Sequence, residues 1–345
     1  MRDKITKPFR TLTENMTLLR AVNISFSASG RKAKILNIKS LQLKTGRCIL
    51  IQGKNGAGKS SLLSVLGGYL TPNSGEISWK GKKIQPLKER LVPGFEHIEL
   101  VKQDPDFNLF LTVSDQLTKA SRHLKEVEAK SIEQKSISIC HLKPLLNQKT
   151  GSLSGGEKRR LSIALALIKN CELLLLDEPF AELDAENKKI FLDLILTLKQ
   201  NSEIGICMVT HHGEDSLWLA DEVWTMENGK FLEKIKRNNN CFSPIRLNSA
   251  ILLGIKNVFK TQDFPMLKPY GKKTWVELLP ESIYTEEGGV LLGSAILLTQ
   301  FRQENRWHRI WKLNDRIIES VGLEMKELNK MPQPLFYKHP QNQLH

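Results

Sequence analysis

The stretch Cys48–Gly68, CILIQGKNGAGKSSLLSVLGG, constrains this chain more than any other part of its sequence. An apolar, β-rich run leads into a glycine loop, and an apolar helical pattern, predicted over Lys59–Leu70, follows. Glycines let successive backbone N–H groups turn inward, and the helix presents its positive dipole end to the same anion. The stretch therefore predicts a loop for a nucleoside triphosphate rather than a plain connecting turn. The pattern G-x-x-x-x-G-K-[ST] is formed by Gly53, Lys54, Asn55, Gly56, Ala57, Gly58, Lys59 and Ser60.

Within this loop, Lys59 is expected to reach the β- and γ-phosphates, and the Ser60 hydroxyl to ligate Mg²⁺. A second part of the site is expected at Asp177-Glu178-Pro179, which follows the leucine strand Leu173–Leu176. The carboxyl ends of parallel strands meet at one edge of a sheet, so these carboxylates are expected beside the glycine loop. Asp177 would hold Mg²⁺ directly or through water, and Glu178 would be the general base for the attacking water.

Helices are predicted over Glu157–Ile168 and over Lys188–Leu198. A third part of the site is expected at the start of the first of these helices. The small residues Ser154, Gly155 and Gly156 leave backbone N–H groups accessible there, which makes a second anion-binding device. One loop already holds the nucleotide, so a second device suggests that two chains share each nucleotide.

Three segments, in this order along the chain, resemble the Walker A, LSGG signature and Walker B motifs of ATP-binding cassette (ABC) ATPases. They are Gly53–Ser60, Leu153–Glu157 and Leu173–Pro179. The LSGGE string is far more specific than a lone glycine loop. The resemblance covers about residues 17–237 and implies an α/β P-loop NTPase cassette with a mostly parallel sheet and a helical subdomain. It also implies ATP and Mg²⁺ as cofactors.

The resemblance assigns roles to further residues. Gln103 resembles the Q-loop glutamine, Asp184 the D-loop aspartate at the dimer seam, and His211 the switch histidine that contacts the γ-phosphate, whereas His212 has no such match. Catalysis is expected of Glu178 and His211, and Mg²⁺ binding of Ser60, Gln103 and Asp177. The nucleotide contacts are expected from Gly53 to Ser60 together with Ser61 and Gln103, and the contacts to a partner's nucleotide from Leu153, Ser154, Gly155, Gly156 and Glu157.

Two features depart from the family pattern. Ser61 stands where threonine commonly follows the phosphate-loop serine, and little consequence is expected because both side chains are hydroxyls. The family usually stacks an aromatic side chain on adenine, and Ala28 stands at the matching position. Phe26 is the alternative stacking residue, because it lies two residues earlier on the same strand face.

By this resemblance, two cassettes close head to tail on ATP, as a homodimer or as a heterodimer with a paralogue. About 95 residues separate Lys59 from Ser154, a transporter-like spacing. The chain is therefore expected to power a membrane transporter together with a separate transmembrane permease. The segments Gln103–Phe110 and Thr112–Asp115 resemble the same region of importer ATPases, which implies an importer rather than an exporter. The chain would sit peripherally on the cytoplasmic face of the cell membrane. Phe107, Leu109 and Phe110 are expected either to dock that permease or to pack under the helical subdomain.

The chain divides by pattern into an N-terminal extension (1–16), the cassette (17–237), a linker (238–264) and a mainly β domain (265–345). Segments such as TWVELLPESI, RWHRIWKL and KMPQPLFY in the last domain predict short strands. This domain resembles the TOBE domain, a small oligonucleotide/oligosaccharide-binding (OB)-type barrel that follows the cassette in many importers. No apolar run is long enough to cross a bilayer, and no secretory signal is visible.

The composition of this basic chain does not identify its anionic partner. The formal net charge of +14 is compatible with a membrane surface, with nucleic acid, or with solubility alone. The alternative function is a soluble ABC ATPase that acts on nucleic acid or on another protein complex; nucleic acid is not the expected partner, since most of the excess charge lies in the cassette. The five cysteines form no C-x-x-C pair and predict reduced thiols in a cytosolic protein.

Overall fold

The computed structural model describes residues 16–28, 34–84, 93–201, 203–211 and 216–237. Beyond 237 it describes residues 249, 252–253 and 258–260, and the strands given below. His212 and Cys241 lie outside the described residues, as do most of the predicted N-terminal extension and linker. The chain forms two compact units, Met1–Phe242 and Ser243–His345.

The described residues of the first unit form ten strands and five α-helices. Its strands are β1 (Thr17–Phe26), β2 (Leu36–Lys44), β3 (Cys48–Gln52), β4 (Ser74–Trp79), β5 (Lys82–Lys83), β6 (Ile98–Val101), β7 (Leu173–Asp177), β8 (Gly205–Thr210), β9 (Glu222–Glu227) and β10 (Lys230–Lys236). Its helices are α1 (Lys59–Leu66), α2 (Val113–Ser121), α3 (Glu126–Ile139), α4 (Gly155–Ile168) and α5 (Ala185–Asn201).

The larger sheet has the strand order β10-β9-β3-β8-β7-β6, and its five strands from β9 to β6 are parallel. Strands β3 and β8 are buried along their whole length, and β7 is buried until Asp177. Continuous apolar runs are typical of parallel strands covered on both faces. The mostly parallel sheet predicted from the sequence is therefore present. Its carboxyl edge carries the glycine loop after β3, Glu178 after β7 and His211 after β8.

A second, antiparallel sheet of order β2-β1-β4-β5 accompanies the first. Along β2, Leu36, Ile38, Leu41 and Leu43 are buried, and because side chains alternate along a strand, the buried face changes between Ile38 and Leu41. One cluster of buried apolar residues includes side chains from both sheets and from α1. The helix that carries Lys59 and Ser60 is thereby anchored in the core.

Helix α1 is shorter than predicted. The helix expected to reach Leu70 ends at Leu66, because Gly68 adopts a left-handed conformation with φ +79°. Tyr69 N donates to Ser64 O at 2.8 Å and Gly68 N to Val65 O at 3.2 Å, the bond pattern of a Schellman end. A side chain at Gly68 would also meet Phe95, at 2.8 Å from a built Cβ, which makes glycine the fitting residue there.

Strands β9 and β10 form a β-hairpin that the sequence analysis did not predict. Strands β9 and β10 pair antiparallel through the two-residue turn Asn228-Gly229, with φ +48° and +73°. Two positive φ angles are the requirement of a type I′ turn, which Asn-Gly favours. Gly229 N donates to Ala57 O at 3.0 Å, so the turn supports the glycine loop.

The four described cysteines, Cys48, Cys140, Cys171 and Cys207, are buried and free. Burial raises the pKa of the Cys48 and Cys171 thiols to about 12. These four cysteines are therefore core residues, and their reduced state stays a prediction. Within the described part of the chain, no helix combines the length and the hydrophobicity that crossing a membrane requires.

The second unit is a set of antiparallel strands. A five-stranded sheet has the order β13-β17-β14-β15-β16, and a two-stranded sheet pairs β11 with β12. At 14 residues, β14 is longer than the short strands predicted, and closure into an OB-type barrel stays a prediction. The strands are β11 (Val258–Lys260), β12 (Trp275–Glu277), β13 (Ile283–Tyr284), β14 (Val290–Gln303), β15 (Arg306–Leu313), β16 (Arg316–Gly322) and β17 (Gln333–Tyr337).

Candidate functional site

Three adjacent parallel strands bring the predicted catalytic residues together. Strand β8 lies between β3 and β7, with Thr210 paired to Gln52 and Val209 paired to Asp177. Glu178 N continues this ladder by donating to Val209 O at 3.0 Å. The glycine loop, the two carboxylates and His211 are therefore fixed at one sheet edge by backbone hydrogen bonds.

The glycine loop is held closely against the sheet and holds its own lysine. A Cβ at Gly53 would lie 2.4 Å from Met226 O, so only glycine allows this approach. Lys59 is 6% exposed, and its Nζ donates to Gly53 O at 2.8 Å and to Lys54 O at 3.3 Å. Burial lowers the pKa of Lys59, and the nearby Glu178 and Asp177 carboxylates oppose that shift. The three residues at the tip of the loop, Lys54, Asn55 and Gly56, are exposed.

Ser60 and Asp177 form the part of the site that fits Mg²⁺. Ser60 Oγ donates to Asp177 Oδ1 at 2.9 Å, which places a hydroxyl and a carboxylate oxygen side by side. Burial raises the pKa of Asp177, while the Ser60 hydrogen bond opposes the shift. Among the described residues, no group of three or more His, Cys, Asp and Glu side chains could hold a metal. Two hard oxygen donors suit Mg²⁺, which usually keeps waters and substrate phosphate oxygens as its other ligands.

Glu178, the predicted general base, contacts His211 after β8 and Lys59 after β3. His211 Nδ1 lies 2.8 Å from Glu178 Oε1, and Lys59 Nζ lies 3.7 Å from the same oxygen. The Glu178 side chain is 12% exposed, and its backbone has φ +47°, a conformation that costs a non-glycine residue free energy. Such strain persists only where the surroundings hold it, and it is found most often at functional sites.

The signature segment forms the capped start of α4. Ser154 Oγ accepts from Glu157 N at 3.3 Å, and Glu157 Oε2 accepts from Ser154 N at 2.8 Å, which is a capping box. The helix thus begins two residues before the predicted Glu157. Leu153 is buried, whereas Ser154 and Gly155 are exposed. A Cβ built at Gly155 has no neighbour within 4 Å, but one at Gly156 would lie 2.9 Å from Leu183 Cδ2.

Asp184 and Gln103 are both exposed. Asp184 Oδ1 accepts from Asn187 N at 2.7 Å, so this residue caps α5, which begins at Ala185 and not at the predicted Lys188. Gln103 O accepts from Arg159 Nε at 2.9 Å. The predicted roles of Asp184 at a dimer seam and of Gln103 at Mg²⁺ stay predictions.

The side chains proposed for base stacking and docking differ in exposure. Phe26 is partly buried against the apolar core, on the same side of β1 as Ile24, while Ala28 is half-buried. Leu109 and Phe110 are 53% and 84% exposed, and Phe107 is half-buried. The alternative of packing under the helical subdomain is therefore wrong for Leu109 and Phe110.

The sequence reasoning missed Arg159, which contacts three backbone carbonyls around the site. Its position in the polar run Glu157-Lys158-Arg159-Arg160 suggests a solvated face, yet Arg159 and Arg160 are both buried. The available signal was periodicity, because both arginines lie among the apolar positions of α4.

Comparisons with known proteins agree with this geometry. The family described as ABC transporter matches residues 36–181. The chain is 33% identical over 210 residues to the lipoprotein-releasing system ATP-binding protein LolD of Buchnera aphidicola, covering 57% of this chain and 89% of that protein. It is 34% identical over 253 residues to the molybdenum import ATP-binding protein ModC of Shewanella sp. (strain MR-4), covering 68% and 69% of the two chains.

A solved structure shows the same fold. The cbiO1 protein of Clostridium perfringens, described as part of the ABC transporter complex cbiONQ, superposes with a TM-score of 0.56 at 27% identity. The match covers 64% of this chain and 88% of that one. The glycine loop, the signature segment and the strand-end carboxylates all lie within the residues that the ABC transporter family matches. The chain therefore belongs to the ABC transporter ATP-binding proteins, a family of P-loop ATPases that power transport.

Proposed function

We propose that two cassettes close on ATP and Mg²⁺ and that this chain hydrolyses the ATP to drive import through a separate permease. The main observation in support of this proposal is that Glu178 Oε1 lies 2.8 Å from His211 Nδ1 and 3.7 Å from Lys59 Nζ. A carboxylate, an imidazole and an ammonium group thereby converge beside the glycine loop. This is the set of groups that phosphoryl transfer to water requires.

Each residue would have a separate task. Lys59, held by the carbonyls of its own loop, would meet the β- and γ-phosphates. Ser60 and Asp177 would hold Mg²⁺, which neutralises charge on the transferring phosphoryl group. Glu178 would accept the proton of the attacking water, and His211 would orient Glu178 and contact the γ-phosphate. Gln103 would link the Mg²⁺ site to the helical subdomain.

A second cassette would complete the site. Ser154 and Gly155 are exposed, and the space above Gly155 is open, so the amide groups at the start of α4 are accessible to another molecule. A helix N-terminus favours an anion. The partner cassette's nucleotide, in a homodimer or a heterodimer with a paralogue, is the proposed occupant, with Asp184 at the seam.

The transport partner would dock on the segment before α2. Thr150 Oγ1 donates to Asn108 O at 2.7 Å and Gly151 N to Leu109 O at 3.2 Å, so the segment that exposes Leu109 and Phe110 is held in place. Exposed apolar side chains on a fixed segment favour a protein contact. We infer a permease at the cytoplasmic face of the membrane, and import because ModC is an import protein. The second unit would be a TOBE-like regulatory domain.

The substitution Glu178→Gln tests the catalytic assignment. It keeps the side chain's shape but removes the base, so we expect ATP hydrolysis to fall about 100-fold or more while ATP binding is retained. ATP-dependent dimers should then accumulate, which light scattering after size-exclusion chromatography detects. The control is Glu203→Gln, an exposed carboxylate at the opposite edge of the sheet. Normal hydrolysis by the Glu178→Gln variant would contradict the proposal.

A further inference from the structure

Arg159 joins two segments that the catalytic site needs. From α4, its Nε donates to Gln103 O at 2.9 Å, and its Nη1 donates to Ala181 O at 2.6 Å and to Pro179 O at 3.4 Å. The side chain is 2% exposed. One rigid, planar guanidinium thus holds the segment after β6 and the segment after β7 at a fixed separation.

The segment that Arg159 contacts is strained at both ends. Glu178 has φ +47° and Glu182 has φ +60°, and the two carbonyls bound by Nη1 belong to residues between them. A non-glycine residue keeps such a conformation only where surrounding interactions over-determine it. The hydrogen bonds of Arg159 are interactions of this kind, and they act directly on the backbone that aims the Glu178 carboxylate.

The charge of Arg159 is compensated locally. Burial lowers the pKa of Arg159, and the nearby Glu182 and Asp104 carboxylates oppose the shift. A guanidinium retains its proton in proteins, so its donors remain available to all three carbonyls. Since Arg159 follows the capped start of α4 by one turn and a half, the contact also connects Ser154 to the two segments.

We propose that Arg159 is a positioning residue for Glu178: by binding the carbonyls of Gln103, Pro179 and Ala181, it sets the general base and couples the helical subdomain to it. This inference rests on the proposed function, because it needs Glu178 to act on the attacking water. Arg159 touches neither substrate nor metal in this scheme and acts through backbone geometry.

Arg160 provides a matched comparison. It is the next residue of the same helix, it is 6% exposed, and burial likewise lowers its pKa. Its Nη1 donates to His141 O at 3.0 Å and to Cys140 O at 3.5 Å, at the end of α3. Arg160 therefore makes the same type of contact with the helical segment alone, away from Glu178.

The test compares Arg159→Lys with Arg160→Lys by steady-state ATP hydrolysis, with the folded fraction taken from thermal unfolding. A lysine has one nitrogen and does not span Gln103 O and Ala181 O. We expect Arg159→Lys to lower kcat about tenfold or more while KM changes less than about threefold, because a small displacement of a base is costly. Arg160→Lys should keep the wild-type kcat per folded molecule. If Arg159→Lys does not fold, Arg159→Gln, which retains an amide donor, replaces it.

A double substitution separates positioning from a structural role. In a Glu178→Gln background, Arg159→Lys should lower the residual hydrolysis less than about twofold, because both changes act through one group. Full multiplicative loss in that background would overturn the inference, as would equal kcat values for the two lysine variants. A wild-type chain that hydrolyses no ATP with its partner cassette would instead overturn the proposed function first, and the inference with it.

Discussion

The two segments predicted to bind anions, the glycine loop Gly53–Ser60 and the signature segment Leu153–Glu157, are built differently. The glycine loop is buried at Gly53 and Lys59, and the lysine is already bound to two carbonyls of its own loop. The signature segment exposes Ser154 and Gly155, and the side chains of Ser154 and Glu157 bond within their own helix start. The first is a loop that is buried at its lysine and held by its own hydrogen bonds, whereas the second is a stable helix end that faces open space.

This difference indicates which step each segment controls. A preorganised loop with a buried cation favours tight nucleotide binding by a single chain, because no reorganisation is needed. An exposed, self-capped helix start contributes only when another molecule brings an anion to it. Binding and closure should therefore be separable by substitution, and two changes test this separation, while a third tests the electrostatics of the nucleotide-free site.

The largest effect is expected from Lys59→Ala. It removes the buried ammonium group of the loop, whose other lysine, Lys54, is exposed at the tip, so ATP affinity should fall about 100-fold or more. Isothermal titration calorimetry with ATP measures the loss. Lys39→Ala, an exposed lysine on β2, is the control and should bind ATP as the wild type does. An affinity within a few-fold of the wild type would show that the glycine loop does not depend on its lysine.

A smaller effect on a different step is expected from Gly155→Asp. A carboxylate in the first turn of α4 should stabilise the helix by roughly 0.3–1 kcal/mol, yet it would repel a partner's phosphates. ATP-dependent dimerisation in the Glu178→Gln background should fall about tenfold, with single-chain ATP binding unchanged. Val127→Asp adds the same charge to the first turn of α3 and should leave dimerisation intact. Undiminished dimers in the Gly155→Asp variant would place the seam elsewhere.

The smallest effect is expected from Asp177→Asn on the nucleotide-free protein. The raised pKa of Asp177 means that the folded state binds this proton more tightly than the unfolded chain does. Ionisation therefore costs the folded state free energy above the raised pKa, and this cost disappears below the ordinary value of 3.8, where both states are protonated. The variant should raise Tm at pH 7 by about 2 °C or less, and the gain should shrink as the pH approaches 3.8. A gain that grows on acidification would contradict this sign.

The parts of the fold that the sequence predicted are those with local signals. Strands β3, β7 and β8 are continuous apolar runs, and the residues that follow them are a glycine loop, a carboxylate pair and a histidine. Strand order was not local information, since β8 inserts between β3 and β7 although it follows both along the chain. The parallel-sheet rule, that carboxyl ends share an edge, placed the two carboxylates beside the glycine loop in advance, and the resemblance to ABC ATPases added His211.

The features that were missed depend on less direct signals. The end of α1 required Gly67-Gly68 to be recognised as a helix terminator, and the start of α5 required Asp184 to be recognised as a cap. The Asn228-Gly229 hairpin turn carried a strong signal that was overlooked. Arg159 is different, because its partners lie 56, 20 and 22 residues away in the sequence. Helical periodicity indicates that Arg159 is buried, but it does not indicate which backbone carbonyls the guanidinium contacts.

The central place of β8 has a mechanical consequence. Strand β8 is hydrogen-bonded to β3 on one side and to β7 on the other. We therefore expect the carboxyl edge of the sheet to move as a rigid body, so that its groups keep their spacing throughout the ATP cycle. The helical segment α2–α4 would then move relative to this rigid sheet edge. Two spectroscopic distance probes, one on the sheet edge and one on α3, would show a distance that changes during the ATP cycle. Two probes on the sheet edge would show a constant distance.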